Sequence, residues 1–153
     1  MLNSGGKRNE QPLTDVQIQM AKDFAVSLGM PATKISYSAN YNTGHGSEYD
    51  ILIIGTDLYP SEEAAFNTRT ANSRVVWKAA LGHELIGHRE AALNGWSQSN
   101  PVFEEVQASI RAARYTPNIS RVERITLLRD AISRLPQGCR LRDIKDQLNI
   151  SKR

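Results

Sequence analysis

The stretch "LGHELIGHRE" (residues 81–90) holds two of the three histidines in the chain, with a glutamate directly after the first. Around it, Val76, Ala80 and Leu81 fall on one side and Asn94-Gly95 forms a left-handed stop, which predicts a long helix from about Ser73 to Leu93. The short zinc signature carried by such helices is His-Glu-x-x-His, with its histidines four apart and on one face. Here His83 and His88 are five apart, with Glu84, Leu85, Ile86 and Gly87 between them. Residues five apart lie about 140° apart around a straight α-helix, against about 40° for residues four apart. Both rings reach one ion only if the helix contains a wide turn with i→i+5 bonds, a rare distortion that concentrates at functional sites. Gly87 removes a side chain where that distortion falls. Glu84 can lie beside a metal without binding it, and from there move a proton from the attacking water to the leaving amine.

A zinc enzyme needs three protein ligands and one open position. Asn100-Pro101 opens the next helix, whose apolar stripe is Val102, Val106, Ile110 and Ala113. Its first turns carry Glu104 and Glu105. The connection 94–100 is short, so the two helices should pack as an antiparallel pair and bring those turns near His88. Either glutamate would complete a His-His-Glu set. Charge developing on the reacting oxygen calls for a further donor, and His45, Tyr41, Tyr115 and Arg114 are all available. Cys139 lies far along the chain after a turn and reads as a bystander.

The rest of the chain reads as an α+β protein, mostly helical, with one short sheet near its N-terminus. Its 153 residues suit one domain with a real core. At 40% hydrophobic and 23% charged it has a globular composition. The longest apolar run, "ILIIG" (51–55), is too short to cross a bilayer, so no membrane partner is expected. One cysteine excludes an internal disulfide. Residues 1–12 form a polar leader or linker without the apolar core of a secretory signal, and 13–153 form the domain. Thr14-x-x-Gln17 is a capping box opening a helix with Val16, Met20 and Phe24 as its stripe, ended by Gly29-Met30-Pro31. "TKISYS" (33–38) and "YDILIIG" (49–55) read as strands, separated by a glycine-rich turn, "ANYNTGHG", that carries His45. The second strand is expected beside the histidine helix, where an edge could pair with an extended peptide. A polar loop covers 56–73. Ser120-x-x-Glu123 caps a helix through Val122, Ile125, Leu128 and Leu135, and a short amphipathic piece (Leu141, Ile144, Leu148) ends the chain. A net charge of +3 and a pI near 9.2 raise a nucleic-acid-binding or nuclease alternative. Acidic residues interrupt the arginines of "RAARYTPNISRVERITLLRDAISR", however, which argues for a solvated face and against a nucleic-acid partner.

The segment from His83 to His88 resembles the lengthened His-Glu-x-x-x-His motif of the dipeptidyl peptidase III family. That family adds a later Glu-Glu-x-x-Ala helix, matched here by Glu104, Glu105 and Ala108, though after a shorter gap and in a far smaller chain. In size and layout the chain from about Leu13 on is similar to the zincin-like, gluzincin-type metallopeptidase toxin domains of bacterial polymorphic toxins such as Rhs-type proteins. "AVSLGMP", "IGTDLYP", "HELIGH", "EEVQASIRAA" and "ERITLLRDA" carry that likeness. The resemblance implies a zinc ion held by His83, His88 and Glu105, with Glu104 as the alternative third ligand and Glu84 as general base. It further implies a protein or peptide substrate, delivery as part of a larger secreted protein, and a cognate immunity protein as partner. Gluzincins often place an acid one turn after the metal glutamate, where this chain has Ser109. A catalytically inactive zincin acting by binding is the remaining alternative.

Overall fold

Helix α1, Asp15–Ser27, begins at the capping box: the Thr14 hydroxyl accepts from the Gln17 N–H, and the Gln17 side chain accepts from the Thr14 N–H. The computed structural model describes residues 8–61 and 70–153. The beginning of the leader and the central part of the polar loop lie outside them. The buried face of α1 is Ala21, Phe24 and Ala25, whereas Val16 and Met20 of the expected stripe are exposed. Ala21 and Ala25 let α1 approach the core closely, with Phe24, Ile18 and Leu28 packed around that contact.

Three short strands follow: β1 (Ile35–Tyr37), β2 (Gly44–Gly46) and β3 (Ile51–Ile54). Their order is β1-β3-β2, with β1 parallel and β2 antiparallel to β3. This corrects the sequence reading twice. The glycine-rich stretch around His45 is a strand, not a turn. And β3 is central, paired on both sides, so its backbone has no edge for a peptide; Leu52 and Ile54 are fully buried there. The edge beside the histidine helix is β2.

After β3, α2 (Ala71–Arg74) stops where the adjacent β-branched Val75 and Val76 turn extended. The histidine helix therefore starts at Trp77, later than expected. Helix α3, residues 77–93, is α-helical over Trp77–Gly82, π-helical over His83–Arg89 and α-helical again over Glu90–Leu93. In α4 (Pro101–Tyr115) the Asn100 side chain caps the Val102 and Phe103 N–H groups. The second capping box, Ser120 with Glu123, opens α5 (Arg121–Ser133), and α6 (Leu141–Ile144) closes the chain. On α5 three of the four expected stripe residues point outward, while Leu135, beyond the end of the helix, is half-buried. Val122, Ile125 and Leu128 face solvent, and Leu127, Asp130 and Ala131 are buried.

The main core joins α1, the sheet, the first half of α3 and the inner face of α4. A smaller cluster of Val106, Ile110, Ala131, Ile144, Leu148 and Ile150 covers the other side of α4. The leader is docked from Arg8 onward: its buried guanidinium donates to the carbonyls of Asp57, Leu58, Asn72 and Val75 at 2.6–3.0 Å. That burial lowers its pKa to about 10. Among the described residues no helix is long and apolar enough to cross a membrane.

Candidate metal centre

The π-helical segment of α3 lies against α4, and the contact is tightest at Gly87. A Cβ there would sit 2.6 Å from the Ala108 carbonyl oxygen and 2.8 Å from the Ala108 Cβ. The missing side chain at this position lets the two helices approach. The wide turn does what the five-residue spacing required of it. His83 Nε2 and His88 Nε2 are 3.1 Å apart, with Glu105 Oε2 3.1 Å from the first and Glu105 Oε1 3.6 Å from the second. One donor atom from each of the three residues lies within 4.8 Å of the others. Donors on a tetrahedral zinc, at about 2.0–2.2 Å from the ion, stand about 3.3 Å apart. The group can hold a metal ion.

Hydrogen bonds behind the rings set which nitrogens face inward. The Ser109 hydroxyl donates to Asp130 Oδ2 at 2.7 Å. Its single proton is then used, so at 3.0 Å it accepts from His83 Nδ1–H, leaving the Nε2 lone pair directed at the centre. Arg134 donates to both Asp130 Oδ2 (2.8 Å) and Glu105 Oε2 (3.1 Å), tying this support to the carboxylate ligand. On the other ring, His88 Nδ1 pairs with Glu104 Oε1 at 3.1 Å, while the Gln98 N–H holds Glu104 Oε2 at 2.6 Å. Glu104 thus faces the outer nitrogen of His88, and the convergent carboxylate is that of Glu105.

The charges in this cluster call for a cation. Burial pushes the His83 imidazole down, outweighing its bond to Glu105. Burial pulls His88 down as well, but its bonds to Glu104 and Glu105 prevail and carry it up to about 9. Burial raises Glu105, yet contact with both imidazoles holds it well below the usual carboxylate range.

Glu84 is buried beside this group. Its Oε2 accepts the His45 backbone N–H at 3.2 Å, and its Oε1, also buried, has no hydrogen-bond partner among the described residues. Glu84 and the His88 ring border a cleft of about 240 Å³ lined by Thr43, Gly44, His45, Ser47 and Ser97 among others. Of the four donor options, only His45 reaches this cleft, and its ring Nε2 is engaged by Asp50 Oδ1 at 2.8 Å. Tyr41 is exposed. Tyr115 lies ten residues beyond Glu105, about 15 Å along α4, and its hydroxyl donates to the Ile150 carbonyl, as does Arg114. Asp130, Arg134, Gln98 and Asp50 were not legible as site residues. The one usable signal was Asp130 sharing a helix face with Leu127 and Ala131, which has meaning only once the phase of α5 is known.

Compared with family models, with curated proteins and with solved structures, the chain matches none.

Proposed function

We propose that this chain is a zinc-dependent metallopeptidase of the zincin type. The observation that carries the reading is the convergence of two imidazole nitrogens and one carboxylate beside a buried glutamate oxygen that has no partner among the described residues. Two nitrogens and one carboxylate, with room for a fourth partner, are the donor set of catalytic zinc. His83, His88 and Glu105 would hold the ion. When bound, zinc polarises a carbonyl and lowers the pKa of water. Glu84 takes the proton: its Oε2 is held by the His45 N–H, which leaves Oε1 as the base. The same carboxyl then returns the proton to the departing amine nitrogen. Arg134, paired with Glu105, and Ser109, paired with His83, keep both ligands in place. The substrate we assign is a protein or peptide, because β2 borders the cleft through Gly44 and His45 and a sheet edge suits an extended chain.

The toxin-effector role, delivery within a larger secreted protein and an immunity partner rest on the family resemblance alone. A nucleic-acid partner has weaker support. Arg8, Arg89, Arg111, Arg114, Arg124 and Arg134 are all engaged within the fold, which leaves fewer of the arginines for an outward basic face.

The test is hydrolysis of a mixed peptide library by the zinc-loaded protein and by Glu84→Gln. Cleavage that falls by about 10²–10⁴-fold in the variant, with zinc content unchanged, is the expected result. A zinc-loaded wild type that cleaves nothing, or a variant that cleaves as well, would overturn it.

A further inference from the structure

Asp50 closes the β2–β3 turn in the left-handed region, at φ 51. A residue with a side chain is uncommon there, and glycine would adopt the conformation at lower cost. The carboxylate joins three parts of the fold. Oδ1 accepts from Arg89 Nε at 2.7 Å and from the His45 ring Nε2 at 2.8 Å, and Oδ2 accepts from the Arg89 terminal nitrogen at 3.0 Å. The other terminal nitrogen of Arg89 donates to the Gly29 carbonyl, just past α1. Arg89 directly follows His88 and ends the π-helical segment. His45 in turn presents the backbone N–H that holds Glu84 Oε2.

We propose that Asp50 is a positioning residue for both halves of the site. Through the His45 ring it fixes the β2 backbone N–H on Glu84, and through Arg89 it anchors the wide turn that sets His88 opposite His83. The inference rests on the metallopeptidase reading for its catalytic meaning, but its geometry stands in the metal-free chain. Asp50 touches β2 and the end of the π-helical segment directly, and reaches the end of α1 through Arg89.

Asp50→Gly separates positioning from stability, because it relieves the left-handed backbone while removing the carboxylate. Asp50→Asn, which also tolerates this conformation, serves as the conservative variant. Two quantities are read: amide hydrogen exchange at His45 in the metal-free protein, and the zinc dissociation constant from chelator competition. Expected for Asp50→Gly are His45 exchange at least about tenfold faster and zinc binding about 10–100-fold weaker, in a chain that remains folded. Asp50→Asn should fall between it and wild type on both scales. Unchanged His45 exchange and unchanged zinc affinity in both variants would overturn the proposal. A wild type that takes up no zinc would defeat the metallopeptidase reading, while His45 exchange would still decide the role of Asp50.

Discussion

Ser109 has one proton to give, and where it goes determines what His83 can do. Because it goes to Asp130, the imidazole must donate from Nδ1 and keep a lone pair on Nε2. Ser109→Ala should therefore weaken zinc binding by about 10–100-fold through loss of ring orientation. Its cost in stability should be about 2 kcal/mol, that of two hydrogen bonds; chelator competition and denaturant titration read the two effects separately. A second consequence concerns pH. In the metal-free chain burial lowers His88, but its glutamate partners prevail and hold it protonated up to about 9. An ion binding at Nε2 has to displace that proton. Zinc affinity should thus rise with pH up to about 9 and level off above it. A flat profile across that window would contradict the proposed ligand.

Within α3, one residue more than an α-helical motif contains is absorbed by a π-helical segment that turns both histidines inward. This was readable from the spacing alone, since no undistorted helix brings residues five apart onto one ion. The contact that supports it was not readable, because Gly87 meets Ala108 of another helix. Gly87→Ala should press α3 and α4 apart and cost about 1–3 kcal/mol by overpacking. A lowered melting temperature together with reduced zinc content would check it; a neutral effect would show that the helices can give. The capping boxes were legible because they are local, each closing within one turn. Helix phase was less so. Val122, Ile125 and Leu128 look like a core stripe, yet α5 turns Asp130 inward to meet Ser109 and Arg134, and those apolar residues face out. Gly44-His45-Gly46 has no strand propensity of its own and is a strand because β3 pairs with it.

For the whole molecule, composition and the order of elements led correctly to an α+β, mostly helical fold. They gave no hint that the leader takes part in it. Arg8 reaches four carbonyls of the segments flanking β3 and α2, contacts separated from it by some fifty residues or more. No local pattern encodes such a long-range bond. Arg8→Ala would strip buried carbonyls of their donor and should destabilise the fold by on the order of 3 kcal/mol, measurable by denaturant unfolding.

The account as a whole depends on three side chains sharing one ion, and metal stoichiometry tests that most directly. Elemental analysis of the purified protein after zinc loading and desalting should find about one zinc per chain. His88→Ala should lose it and Glu84→Gln should keep it. A wild type that remains metal-free after loading, or one whose zinc survives His88→Ala, would contradict the account.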